Sequence, residues 1–356
     1  MTPRYFEDQS LQPLDPSLSA SVTIDVVPFA KGNIELGFAR GFVQSQAYVR
    51  HFGPKLVLKP TAGGVIFDTS KVAGKRADHE TGAQVDFTFA EEFDWLGFTA
   101  RERVFEILNE VLKDKTLHVD MFAYDLNEPD VARIMCELAA KGRIRVILDN
   151  APLHHDATGK KAEDQVEKAF NAKAKKGALL VRGKFKRFAH DKVFIVSRAG
   201  KPLKVLTGST NFSTTGMYVN SNHVVIFKDA NIAKTYKDVF EKALAVNVSG
   251  PKVAKDPLAA KEFPFASAKT PQTEISFAPH PDATAAQILN DLTARINQEG
   301  KKTSGSVLFA VMELGTGTGP VFPALKKLHK SQDIFSYGIS DTTDGIQLYR
   351  PGTSDS

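Results

Sequence analysis

One cysteine, one tryptophan and five methionines are all that 356 residues hold of those types. The lone cysteine, Cys136, excludes a disulfide framework and a cysteine-built zinc site, and fits a reducing compartment. No apolar run approaches the ~18 residues that a membrane-spanning helix needs. Residues 1–20 have neither a basic start nor an apolar stretch, so they do not read as a secretory signal. The expected setting is cytoplasmic, with peripheral contact to a membrane surface left open. Neither sign of charge dominates: 46 Lys and Arg against 41 Asp and Glu leave +5. That mild excess favours an anionic partner without choosing between nucleic acid, phospholipid and phosphorylated metabolite. With 42% hydrophobic and 24% charged residues, the chain is neither disordered, collagen-like nor a coiled coil. Its length suits about two domains.

Along the chain, residues 21–70 carry short apolar stretches (Val22–Val27, Val43–Val49, Leu56–Leu58, Val65–Phe67) broken by Gly and Pro. They predict a β-rich N-terminal segment over 1–90. Helical spacing begins at Phe98, with Thr99 as the cap of a helix to Lys113. Then come a strand at 116–124, a helix opening at Pro129 and stopped by Gly142, and a strand at 143–149. Strand, helix, strand is a βαβ unit with a parallel sheet. A helix at 162–176, strands at 178–181, 190–196, 203–206 and 222–227, and a helix at 232–245 complete an α/β half-domain over 95–247. Residues 248–272 read as a linker. From Asp282, read as the cap of a helix to Gln298, the order helix, strand, helix, strand returns at an offset of 187 residues, Phe122 aligning with Phe309, which predicts a second, related half-domain over 273–356.

The chemistry concentrates in FAHDKVFIVSRAGKPLKVLTGSTNFS, residues 188–213. His190 and Lys192, two apart at a predicted strand start, project to one face. The next strand ends at Gly208-Ser209-Thr210-Asn211, where glycine permits a tight turn and Ser209 and Asn211 hydrogen-bond phosphate oxygens. An imidazole, a fixed cation and two neutral polar side chains suit attack on phosphorus.

His190-x-Lys192 followed by Gly208-Ser209-x-Asn211 resembles the signature of the phospholipase D superfamily. The strand KVFIV and the later strand HVVIF are similar to that family too. The resemblance covers 95–245 well and 280–350 loosely. It implies an α/β/α sandwich half-domain and a phosphodiesterase that needs no metal or other cofactor. In that family two such motifs, from two half-domains or two subunits, face each other. One histidine attacks phosphorus and the other protonates the leaving alcohol. By resemblance His190 is one of the pair, while Lys192, Ser209 and Asn211 hold the phosphoryl oxygens, with Gly208 shaping the turn.

The sequence departs from the pattern at three places. The family's Asp five residues after the Lys is Ser197, and Asn222 stands where relatives often carry Glu. The 187-residue offset places a partner histidine near position 377, past Ser356. Either a continuation of the chain supplies it or two copies of His190 pair in a homodimer. Other features carry alternatives. His154-His155 in PLHHDATGK invites a metal reading, but neighbours on a loop rarely chelate one ion. A solvated loop is the plainer reading, with His155 a substrate contact by resemblance. The basic runs 173–177 and 182–187, Lys184 among them, suit a polyanion or a solvated face, and Phe185 and Phe188 suit base stacking or core packing. GTGTG at 315–319 lacks the ending of a nucleotide loop. Three functions follow: a phosphodiesterase on phospholipids, the same chemistry on DNA or RNA, or a silent binding module.

Overall fold

A computed structural model of the chain describes residues 6–7, 10–11, 29–78, 80–185, 188–311, 319–328, 331 and 333–340. The expected strand at 22–27 and all of the GTGTG stretch but Gly319 lie outside them. Two short pairs flank the N-terminal region: β1 (Phe6–Glu7) with β2 (Ser10–Leu11), and β5 (Val72–Ala77) with β6 (Gln84–Thr88). Between them come β3 (Phe29–Lys31), β4 (Ile34–Phe38) and α1 (Gln46–Phe52).

The main sheet is mixed. β7 (Leu117–Ala123), α3 (Pro129–Ala139) and β8 (Ile144–Asp149) form the parallel βαβ unit, Val119 facing Ile144. β10 (Val193–Arg198) and β11 (Lys201–Gly208) form a hairpin whose two turn residues, Ala199 and Gly200, both have positive φ (47° and 77°). That backbone matches the natural twist of paired strands, and glycine makes it accessible. With β9 (Leu179–Gly183) and β12 (His223–Phe227), the eight strands run in the order β3-β4-β12-β11-β10-β7-β8-β9. β4 pairs antiparallel with β12, so residues 29–38 extend the same sheet that carries the motif.

Alternation along β7 divides the layers. Leu117, Val119, Met121 and Ala123 join the core formed with α2 (Phe89–Lys113), α3 and α4 (Ala162–Lys173). Asp120 and Phe122 point the other way, where Phe122 packs edge-on against Phe240 of α6 (Ala230–Ala245) at 5.1 Å. This is the α/β class that the sequence implied, with helices on both faces. On the α6 side, Asp120 is buried and holds Arg145 at 2.6 Å and Lys237.

Several local expectations are corrected. Residues 46–52 are helix rather than strand, and 56–58 and 65–67 are irregular segments packed on the core. Their apolar residues served burial without the length to make strands. α2 starts ten residues before Thr99, at a capping box between Thr88 and Glu91, and is kinked at Phe98 (φ 44°, ψ −135°). Thr99 does not cap it: its hydroxyl accepts from the Phe38 N–H at 2.8 Å and so ties α2 to β4. Asp282 is the first residue of α8 (Asp282–Glu299), with Pro281 in the cap position.

The chain divides into two compact units, the second holding residues 183–187, 241–265 and 272–356. In the second, α7 (Gly250–Ala254) and β13 (Glu262–Phe265) occupy the expected linker, and β13 pairs with β14 (Thr273–Ser276). α8, β15 (Gly305–Val311), α9 (Val321–Leu328) and β16 (Ile334–Ser340) follow, β15 and β16 parallel. Helix, strand, helix, strand with parallel strands therefore occurs twice. Ile296, Ala324, Leu325, Leu328 and Ile334 form that unit's own small core.

Removing the acid that Arg145 and Lys237 share leaves two cations facing each other on the sheet. Asp120→Ala is expected to lose about 3 kcal/mol of stability, read by urea denaturation. A loss below about 0.5 kcal/mol contradicts that role.

Candidate active site

The C-terminal ends of β7, β8 and β11 and the N-terminal ends of β10 and β12 meet at one edge of the sheet, because β10 and β12 run against the other three. Every motif residue of 188–213 apart from the hairpin lies there. Ligand sites of such sheets form outside the carboxyl ends of the parallel strands.

His190 and Lys192 precede β10 rather than opening it: the ladder with β7 stops at Val193, opposite Phe122, and β7 itself ends one residue later at Ala123. Side chains satisfy the backbone instead. Asp149, fully buried at the end of β8, accepts from the Ala189 N–H at 2.6 Å and from the Ala151 N–H at 2.8 Å. Lys192 Nζ donates to the His190 carbonyl at 2.6 Å. Both motif side chains meet Tyr124. The Lys192 ammonium sits 4.8 Å from its ring centroid, and the His190 imidazole packs edge-on at 4.4 Å. Lys192 is only 5% exposed, whereas His190 lies open to solvent.

These environments set the charges. Burial lowers the His190 pKa below the usual histidine value, and the Lys192 ammonium lowers it further, so the neutral ring is favoured near pH 7. Burial pushes Lys192 down to about 8 against the pull of Asp191, Asp125 and Asp149, which leaves it charged at pH 7. A neutral imidazole over a buried cation can attack phosphorus while the charge beneath stabilises the oxygens.

Gly208 ends β11 at φ +144°, and a Cβ there would come within 2.3 Å of the His223 carbonyl oxygen. Glycine is what lets β11 run that close to β12 at the turn. Ser209 is exposed, and its Oγ donates to Asn222 Oδ1 at 2.9 Å. Asn222 Nδ2 in turn donates to the Gly216 carbonyl at 2.8 Å, so the amide that stands where relatives carry an acid pins Ser209. Asn211 is half-buried, and its Oδ1 is buried without a hydrogen-bond partner among the described residues. Ser197 lies five residues up β10 from Lys192, roughly 16 Å at the rise of a strand. It is buried between β7 and β11, away from the site.

The two adjacent histidines part company. His155 Nδ1 lies 2.6 Å from Asp164 Oδ1, and Arg182 takes the same oxygen. His154 is buried, lies 3.4 Å from Glu163 and stacks edge-on upon Tyr124, as His190 does. Its pKa is raised: burial opposes the charge, but the Glu163 hydrogen bond and carboxylate outweigh it. Asp125, His154 and Glu163 bring three possible ligand atoms within 4.8 Å of one another, as do His155, Asp164 and Glu167. In the second group Arg182 already neutralises both acids. Lys184 is exposed and belongs to the second compact unit. Tyr124, Asp149 and His223 escaped the sequence reading, and His154 entered it only as half of a loop pair with His155. The signal for the first two was position, at and just past the ends of predicted strands.

The unfolded chain keeps the Lys192 proton to about 10.5 and the folded one releases it near 8. The charged ammonium therefore costs stability below about pH 8, and the cost fades between 8 and 10.5. Lys192→Met is expected to raise stability at pH 7 by about 1 kcal/mol or more, with the gain shrinking at pH 10. Thermal melts at the two pH values check this, and a destabilised variant at pH 7 contradicts it.

Residues 108–244 match the family described as "Cardiolipin synthase, PLD-like domain". A curated relative, "Phospholipase D" of Rickettsia bellii, is 27% identical over 117 residues, 33% of this chain. The match spans about half of that relative's length, 51%. Among solved structures, Nuc of Salmonella typhimurium, a phospholipase D family member, is 21% identical, with 40% of this chain and 86% of that one covered at a TM-score of 0.33. NucT of Helicobacter pylori is 18% identical over 41% and 89%, with a TM-score of 0.34. No helix among the described residues is long and apolar enough to cross a membrane. The family match begins within α2 and ends within α6, enclosing Tyr124, Asp149, the whole 188–213 motif and the β12 edge. Residues 108–244 are therefore similar to a phospholipase D-like domain.

Proposed function

We propose that the chain is a phosphodiesterase in which His190 is the nucleophile, acting on the phosphodiester of a phospholipid headgroup. The observation that carries this is the stack at the sheet edge: an open, neutral imidazole whose own carbonyl is held by a buried ammonium. A His190 ring nitrogen bonds phosphorus as the bond to the leaving oxygen breaks, and that oxygen takes a proton from an acid. Water then attacks phosphorus, gives up its proton, and the P–N bond breaks. An acceptor alcohol in place of water makes the reaction a transfer. Lys192, Ser209 and Asn211 hold the phosphoryl oxygens, with Gly208 shaping their turn and His155 and Lys184 contacting the rest of the substrate. No metal enters this scheme.

The lipid substrate is favoured by the names of the matching family and of the Rickettsia relative. One observation favours a nucleic acid instead: Lys173, Lys175 and Lys176 are all exposed at the end of α4, a polyanion-sized cluster. The second acid–base histidine comes from another copy of the chain or from a continuation of its second half-domain past Ser356. The recurrence of α8-β15-α9-β16 supports the half-domain as a related unit.

A radiolabelled phosphatidyl substrate, quenched with alkali in mid-turnover, tests the scheme. Label is expected on His190 as acid-labile phosphohistidine, absent from His190→Asn. Turnover should fall at least about a thousandfold in that variant. Label on another residue, or turnover unchanged in His190→Asn, defeats the proposal. Label only from single-stranded DNA transfers the same chemistry to the nuclease reading.

A further inference from the structure

The end of the main sheet opposite His190 carries a row of cations that the His190 chemistry leaves unused. α2, α3 and α4 all finish there, each a short turn before β7, β8 and β9. Lys115 stands in the first of those turns and Lys141 in the second. Lys175 and Lys176 stand in the third, after Lys173 at the end of α4. The hairpin between β10 and β11 joins them, because Arg198 pairs with Leu117 at the start of β7. Lys201 leads out of its turn. All six lysines are exposed.

Hydrogen bonds to backbone carbonyls hold the turns together. Arg143 Nη1 donates to the carbonyls of Asp114 at 2.8 Å and Leu117 at 3.0 Å. The Lys175 N–H bonds the Ala139 carbonyl at 3.0 Å. The row therefore follows the strand order β11-β10-β7-β8-β9, and spans roughly 20 Å at ~4.8 Å per strand. Asp114, in the first turn, is taken by Arg198 at 2.8 Å, and none of the six lysines has an ion-pair partner among the described residues. The C-terminal ends of the three helices offset about half a charge each. Most of the six positive charges stay uncompensated.

Cations in a line fit a linear polyanion. Duplex DNA carries one negative charge per ~1.7 Å of its axis, so about a dozen phosphates span the row. A flat anionic bilayer fits less well, since a membrane that presents a headgroup to His190 lies at the other end of the strands. The seven residues of β7 separate the two ends by roughly 20 Å at ~3.3 Å per residue. We infer that this edge is a nucleic-acid-binding surface that holds a phosphate backbone by charge, without reading its sequence, and apart from His190. A short duplex bound there stays clear of the nucleophile, and a long strand reaches both ends. The lysines thus act as an anchor, whichever phosphodiester His190 attacks.

The test uses the full chain and a short fluorescein-labelled duplex DNA of mixed sequence, with binding followed by anisotropy over a range of salt. Wild type is expected to bind with an affinity that falls steeply as salt rises. A variant carrying Lys115→Gln, Lys141→Gln, Lys175→Gln and Lys176→Gln should bind at least about tenfold more weakly and flatten the log–log salt slope by about 3. A control variant loses the same charge elsewhere, through substitution to Gln at Lys55, Lys59, Lys71 and Lys75, which are exposed in the N-terminal region. It should bind within about threefold of wild type. Thermal melts check that both variants are folded. Equal losses in the two variants would mean that net charge alone is at work, and would overturn the inference. So would a wild type that fails to bind the duplex, or one that uses these lysines for phosphatidylserine vesicles and not for DNA. None of these measurements involves turnover at His190, so failure here leaves the functional reading standing.

Discussion

A single buried ammonium organises this edge. Among the described residues no carboxylate is hydrogen-bonded to Lys192; its Nζ is spent on the carbonyl of His190 and on the face of Tyr124. Burying a charge with so little compensation is costly in water-free surroundings. The fold tolerates it because the sheet around it is over-determined: Phe194 to Arg198 of β10 are held between β7 and β11. What the cation returns is position. It fixes the backbone at His190 and favours the neutral form of that imidazole, the two conditions that the proposed nucleophilic attack needs.

Supporting groups make the same trade at their own sites. Asp149 is fully buried and gives both its oxygens to backbone N–H groups, one of them in the residue before His190. Asn222 uses both ends of its amide to hold Ser209 and close the turn at Gly216. The site is thus built from loops at strand ends, held by side-chain-to-backbone bonds rather than by the ladder. Loops at the ends of rigid strands are where binding and catalytic groups concentrate.

Much of this was legible in the sequence because β10 and β11 are apolar, β-branched and joined by a glycine turn, which fixes their pairing and with it the edge that both motif halves share. The same logic located α3, α4, α9 and the parallel pair β15–β16. Legibility failed where satisfaction is long-range. The start of β10 was placed three residues early because only the end of β7, distant in the chain, removes the ladder from His190. Thr99 has the chemistry of a helix cap, and spends it on β4. Both loop histidines meet acids of α4, yet only the buried His154 also reaches Tyr124, a contact that the sequence does not show.

The most direct measurement is a carbon- and nitrogen-detected NMR titration of the Lys192 side chain in the whole chain between pH 6 and 11. The account requires its proton to leave near pH 8, with the His190 ring responding to that loss of charge. Titration of Lys192 at its ordinary value near 10.5, with His190 indifferent to it, would mean that no buried ammonium underlies the histidine.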